Sequence, residues 1–249
     1  MLILGVETST RTGSIALVEA LTEDAGPPRL TIVGETTLNL AETHSSRLMP
    51  AVDRLLRETS QSIQTIRAIA VGLGPGSFTG LRIAVSTVKG LAFALRVPVV
   101  GALTLNVLAQ NLSFSPIQVC PVLDARKKEV YAALFRGNGE GRLTKLSEDW
   151  VLSPEELCSR ITEKTVLVGN GGEVYGDIFR ERLGSRVLFA PPEISFPRAS
   201  NAVRLTLPAL LKGESLDLFG FTPIYVRRSE AEIHRDRKEG AIASSEAGH

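Results

Sequence analysis

Histidine and cysteine are scarce in this chain, and most metal and thiol chemistry goes with them. The three histidines are His44, His234 and His249; two lie in a charged tail, and no His-x-x-x-His sets two imidazoles on one helix face. His44, ahead of a helix, reads as a hydrogen-bonded turn residue or a lone ligand. Cys120 and Cys158 make neither a zinc spacing nor a disulfide framework, so a reduced, cytoplasmic setting is expected. Charge of one sign is also missing: 28 basic against 27 acidic residues leave no polybasic footprint for nucleic acid. No apolar run approaches the ~18 uncharged residues of a membrane span. The N-terminal apolar run stops at Glu7 with no basic segment before it, and so reads as a strand, not a signal peptide. Gly-Lys-Ser/Thr is absent, and Gly74-Pro75-Gly76-Ser77-Phe78 is offset by its proline and phenylalanine from the serine-hydrolase elbow.

What is present is organised around Gly72-Leu73-Gly74-Pro75-Gly76-Ser77-Phe78-Thr79-Gly80-Leu81-Arg82-Ile83-Ala84. The pattern predicts a strand over Ile66–Val71, a glycine turn with Ser77 as N-cap, and a helix from Leu81 to Leu95 stopped by Pro98. Gly74, Gly76 and Ser77 are candidates for holding an anion, although such glycines also serve simply to turn the chain. The helix is apolar or small almost all round. Leu81, Ala84, Val88, Leu91, Ala92 and Leu95 spread over one side; Ile83, Thr87, Gly90 and Ala94 make a second; Arg82, Ser86 and Lys89 form the polar stripe. Solvent is expected to claim little of it. The Thr87/Gly90/Ala94 side is free for close approach by another helix, of a partner or of the same chain.

Along the chain, strands are expected at Leu2–Val6, Ser14–Glu19 and Leu30–Leu38, and a helix from His44-Ser45-Ser46 to about Thr59 with Pro50 in its first turn. The second half predicts strands over Ile117–Leu123, Lys128–Arg136 and Arg142–Trp150, and a helix opened by a Ser153/Glu156 capping box. There follow a strand at Thr165–Val168, a turn at Gly169–Gly172, a helix from about Val174 to Leu183 and a last helix, Ala199–Leu211. The order β-β-β-α-β-α thus occurs twice. Such duplicated lobes are the α/β arrangement of the actin-like and sugar-kinase-like superfamily, built on a ribonuclease H-like motif. The expected division is residues 1–100 as an N-terminal lobe, 101–222 as a C-terminal lobe whose last helix packs back on the first, and 223–249 as a terminal segment and a solvated, charged tail.

A nucleotide-splitting member of that superfamily needs an acidic residue and a Gly-Thr hairpin at the first strand, an Asp-Gly hairpin opening the second lobe, and an adenosine turn. Here Glu7-Thr8-Ser9-Thr10 has no glycine before Gly13, and Asp124 is followed by Ala125-Arg126-Lys127. Gly171 and Gly172 are the candidates for an adenosine turn, and equally a helix start. Arg126-Lys127-Lys128 is a phosphate contact or a solvated face.

The long glycine motif, with Gly5-Val6-Glu7-Thr8-Ser9, His44-Ser45, Asp124-Ala125-Arg126 followed by Glu129-Val130-Tyr131, and Pro223-Ile224-Tyr225-Val226-Arg227, closely resembles the bacterial TsaB (YeaZ) family over about residues 1–228. The resemblance implies a non-catalytic subunit required for N6-threonylcarbamoyladenosine formation beside the anticodon of tRNAs reading codons that begin with A. It implies pairing with the paralogue TsaD, which carries the metal and the transfer chemistry, together with a TsaE-like ATPase and with tRNA reached through the complex. It implies no cofactor of the chain's own, any nucleotide lying at the complex interface, and no membrane partner. Pairing in that family runs through the first two helices of each N-terminal lobe. Faces around Ser46, Met49 and Asp53, and around Phe78, Arg82, Ser86 and Lys89, then rival the Ile83/Thr87/Gly90/Ala94 side, and self-association is the fallback when the partner is missing. The sequence departs from the family at Glu7, where aspartate is commoner, and in the Gly26-Pro27-Pro28 insertion. The competing expectation is an independent ATP-dependent kinase or hydrolase of the actin-like superfamily, resting on lobe topology and glycine turns.

Overall fold

Six consecutive buried residues, Leu2–Glu7, form strand β1 at the centre of a five-stranded sheet. The structure, a computed structural model, describes residues 1–21, 28–39 and 44–226. The Gly26-Pro27 part of the insertion, the side chains of His44, Ser45 and Ser46, and the tail from Arg227 onward with His234 and His249 lie outside the described residues. Strands β2 (Thr12–Leu21) and β3 (Arg29–Asn39) run antiparallel on one side of β1, and β4 (Ile66–Gly74) and β5 (Val99–Leu103) parallel on the other, in the order β3-β2-β1-β4-β5. Helices α1 (His44–Glu58) and α2 (Phe78–Leu95) cover one face, setting Leu48, Val52, Leu55, Ala84, Val88 and Ala92 against Leu4, Val6, Ile69 and Val71.

Helix α3 (Thr104–Ala109) leads into a second sheet built from β6 (Gln118–Asp124), β7 (Val130–Ala132), β8 (Phe135–Gly137), β9 (Leu143–Lys145) and β10 (Trp150–Leu152). Helix α4 (Pro154–Arg160), β11 (Thr165–Val168), the short α5 (Asn170–Val174), α6 (Gly176–Leu183) and β12 (Val187–Phe189) complete it. Its path, β10-β7-β6-β11-β12, repeats the first: antiparallel neighbours on one side of the leading strand, parallel ones on the other. The duplicated ribonuclease H-like, actin-like topology is therefore present. The capping box forms as read, Ser153 accepting from the Glu156 amide and Glu156 from that of Ser153.

Three expectations are corrected. The strand expected over Lys128–Arg136 is two, β7 and β8, both in one register along β6. The one over Arg142–Trp150 is also two, because the pairing shifts between Lys145 and Trp150. There Ser147 Oγ accepts from the Leu134 amide at 2.9 Å in place of a ladder carbonyl, and Lys145 pairs with Asp149. The turn expected over Gly169–Gly172 opens a short helix, α5, since only Gly169 has positive φ (118°) while Gly171 and Gly172 are helical; the helix expected from about Val174 to Leu183 is α6, starting at Gly176.

Helix α7 (Ala199–Leu211) returns to the first sheet's other face, where Ala199, Val203 and Leu207 pack on Ile3, Ala16, Val18, Ala68 and Ala70. The chain then runs as a strap along the first sheet's edge: the Leu216 amide donates to Val99 O, that of Ile224 to Leu73 O, and Phe221 is buried between. By length and hydropathy α2 passes as a bilayer-crossing helix, yet Leu81, Ala84, Val88 and Ala92 are buried, as in the core helix of a folded domain.

A buried carboxylate anchors α7. Glu35 accepts from the Ser200 amide (3.0 Å), Ser200 Oγ (3.0 Å) and Arg198, while Ser14 Oγ donates to Glu35 and accepts from the Ala199 amide. Two orphan amides of the helix start are thus capped from the sheet, with negative charge at the positive end of the dipole. Glu35→Ala leaves Arg198 and the amide and hydroxyl of Ser200 without this partner, while the Ala199 amide keeps Ser14 Oγ, and urea denaturation is expected to show a loss of about 2–4 kcal/mol; a loss below about 0.5 kcal/mol contradicts this role.

Candidate functional site

Where β1 ends, its backbone runs into the glycine turn that starts α2. Thr8 Oγ1 donates to Gly80 O at 2.7 Å, and the Ser77 amide donates to Ser9 O at 2.6 Å. A Cβ at Gly76 would overlap the Ser9 carbonyl, and one at Gly80 the Thr8 carbonyl. These glycines therefore admit the chain's own backbone. Ser77 is the N-cap as read, its Oγ accepting from the Gly80 amide at 3.3 Å. Of the residues singled out for an anion, Gly74 (φ 113°) turns the chain beneath Ile224 O, and Gly76 and Ser77 are held by Ser9. Gly171 and Gly172 lie apart from them in α5, packed toward Val122 and Phe189.

Glu7 closes the same junction from beneath. It is fully buried, one oxygen accepts from the Ser9 amide at 2.7 Å, and the other lies over Gly72, where a Cβ would overlap it. Burial outweighs the hydrogen bonds from Ser9 and Thr8 and raises its pKa from 4.5 to about 7.

At the matching place on the second sheet, Asp124 is held by the chain itself: it accepts from the Arg126 amide (2.9 Å) and Tyr175 OH (3.1 Å), and the Arg126 guanidinium lies 3.4 Å away. Arg126, Lys127 and Lys128 are exposed and all left-handed, with φ of 62°, 54° and 61°. Nothing in their residue types signals that conformation, which glycine or asparagine would favour.

The other feature is the outward side of α2. Instead of being almost wholly withdrawn from solvent, the helix exposes Phe78, Arg82, Ser86, Gly90, Phe93 and Ala94, with Ile83, Thr87 and Lys89 half-buried. The strap takes one edge of this stripe. Phe78 meets the Tyr225 ring at 5.1 Å, Arg82 lies 3.8 Å over Phe78, and Lys89 donates to Phe219 O at 2.9 Å above the Phe221 ring. Among the described residues nothing covers the remaining face. One groove of about 230 Å3 is lined by Arg82, Ile83, Ser86 and Thr87. A second of similar size, on α1, is lined by Met49, Asp53 and Arg57 among others, with Asp53 paired to Arg57. Phe93 and Phe219 are exposed contributors that the sequence reading missed; Phe93 continues the Arg82/Ser86/Lys89 stripe at helical spacing, which was the available signal.

Residues 31–235 match the family model described as TsaD, tRNA N6-adenosine threonylcarbamoyltransferase. The chain is 31% identical over 235 residues to the tRNA threonylcarbamoyladenosine biosynthesis protein TsaB of Bacillus subtilis, covering 93% of this chain and 96% of that one. It is 29% identical to TsaB of Escherichia coli with the same coverage. Among solved structures, YeaZ from Pseudomonas aeruginosa superposes with a TM-score of 0.71 at 31% identity, over 90% of this chain and 99% of that one.

The buried carboxyl gives a pH signature. Below pH about 4.5 Glu7 is protonated folded and unfolded; between about 4.5 and 7 the unfolded chain loses that proton first, so stability falls as pH rises. The total cost is about 3 kcal/mol, complete above pH 7. Denaturant titrations from pH 4.5 to 8 should show Glu7→Gln losing less stability over this range than the native chain by about that amount; parallel profiles contradict it.

Proposed function

The chain belongs to the TsaB (YeaZ) family, whose members serve tRNA threonylcarbamoyladenosine biosynthesis, and from that premise we propose that it works as a non-catalytic subunit in the cytoplasm, pairing through α1 and α2 with the metal-bearing paralogue TsaD. The paralogue carries out threonylcarbamoyl transfer at the adenosine beside the anticodon, a TsaE-like ATPase joins the pair, and tRNA is met through the complex.

The observation that carries this reading is Gly90. A glycine inside a helix costs roughly 0.5–1 kcal/mol relative to alanine. Here a Cβ would meet nothing within 4 Å, so no packing among the described residues requires its absence. A bare backbone at the centre of an outward helix face suits close approach by a second helix from another molecule. Thr87 and Ala94 keep the same side low, Ile83 supplies an apolar contact, and two shallow grooves flank the pair of helices. The junction at Thr8 and Ser9 supports the non-catalytic part of the reading, because the turn's close approaches are already taken by backbone.

Threonylcarbamoyl transfer to tRNA, assayed with the purified paralogue and ATPase, is expected to fall at least tenfold without this chain; full activity in its absence overturns the proposal. Gly90→Leu is expected to do the same while melting within a few degrees of the native chain. Gly90→Ala should raise the isolated chain's stability by about 0.5–1 kcal/mol in urea titrations. Magnesium-ATP turned over by the isolated chain would favour the kinase or hydrolase reading instead.

A further inference from the structure

At the C-terminal end of α2 two phenylalanines stand in solvent. Phe93 on the helix and Phe219 on the strap meet edge-on at 6.2 Å, 65% and 76% exposed. The fold uses neither as core; Phe221, Leu216 and Leu218 are the strap residues that pack on the first sheet's interior. Beside the pair lies a groove of about 500 Å3, lined by Ala92, Phe93, Ala94, Arg96, Val97 and Leu218. The groove mixes polar and apolar surface, with Phe93 in its lining, and an exposed aromatic pair beside such a groove is the kind of surface in which protein interfaces concentrate their binding energy.

Arg96 supplies the second observation. It ends α2 in the left-handed conformation (φ 56°, ψ 46°), where glycine is the favoured residue because a Cβ is strained there. Keeping arginine at that place holds a cation at the mouth of the groove against the local backbone preference. Among the described residues it makes no ion pair, and no acidic side chain lines the groove. Helix α2 itself carries Arg82 and Lys89 and no acid from Phe78 to Leu95. At about 100° per residue Phe93 lies beside Ser86 and Gly90, so the groove continues the open face.

We propose, resting on the pairing reading above, that this groove receives an apolar side chain from a helix of the metal-bearing paralogue, and that an acidic residue flanking that side chain pairs with Arg96. The charge favours a protein over a nucleic acid. A phosphate backbone calls for a row of free cations, whereas Lys89 and Arg82 are turned onto the strap and, among the described residues, only Arg96 lines the groove as a cation. The edge-on rings also leave no parallel slot for a base. The strap is thereby part of the docking surface, with Leu218 in the groove's lining and Phe219 beside it against Phe93.

The test is affinity of the full chain for the purified paralogue, measured by calorimetry at two salt concentrations. Phe93→Ser with Phe219→Ser is expected to raise Kd at least tenfold. Arg96→Gly suits the left-handed position, so this variant should be no less stable than the native chain, yet bind about tenfold more weakly and with less dependence on salt. Arg96→Glu should bind more weakly still. Native affinity in both the double variant and Arg96→Gly, while Ile83→Arg still abolishes binding, overturns the groove proposal and leaves the pairing reading standing. Failure of the native chain to bind the paralogue overturns both, and tRNA binding by the isolated chain that the double variant loses would assign the groove to RNA.

Discussion

Two carbonyls, those of Thr8 and Ser9, lean into a turn that has no side chains to resist them, and the placement of α2 depends on that contact. With Gly76 and Gly80 bare, the end of β1 reaches the first turn of the helix. Thr8 Oγ1 and the Ser77 amide lock the approach, and Glu7 fills the space over Gly72. Residues as small as alanine at these positions would push strand and helix apart. The helix therefore leaves the sheet at one angle, with Leu81, Ala84, Val88 and Ala92 inward and the Ile83/Thr87/Gly90/Ala94 side outward.

The same topology appears twice with different endings. On the first sheet the turn after β4 is packed shut by backbone and a buried carboxyl. On the second, Asp124 is tied to Tyr175, Asn170 and Arg126, and the connection to β7 passes through three left-handed residues. What distinguishes the first half is the outside of its helices. Among the described residues, the strap folds over one edge of α2, through Tyr225, Phe221 and the Phe219 carbonyl.

Much of this was legible in the residues, and what was not has a common cause. Alternation and caps are local, so α7 was read to its terminal residues and the Ser153/Glu156 box to its atoms. Contacts between distant segments left no such trace. Gly74, Gly76 and Ser77 read as candidates for an anion or simply as a turn, because only the fold brings Ser9 to Gly76 and Ser77. Gly171 and Gly172 read as an adenosine turn or a helix start because glycine is a poor helix former, and the fold makes them helical in α5, where a Cβ at Gly171 would overlap Val122. The stripe of α2 reads in the correct order but as nearly withdrawn from solvent, since a wheel does not say that Phe93 points away from the sheet.

The account depends on the outward face of α2 being bare in the free chain and covered in the complex. Ser86→Cys tests this directly, since Ser86 is exposed and both native cysteines are buried. Its alkylation rate in the free chain should approach that of an unhindered thiol and fall at least tenfold when the paralogue is added. Slow labelling in the free chain, or a rate the paralogue leaves unchanged, would contradict the account.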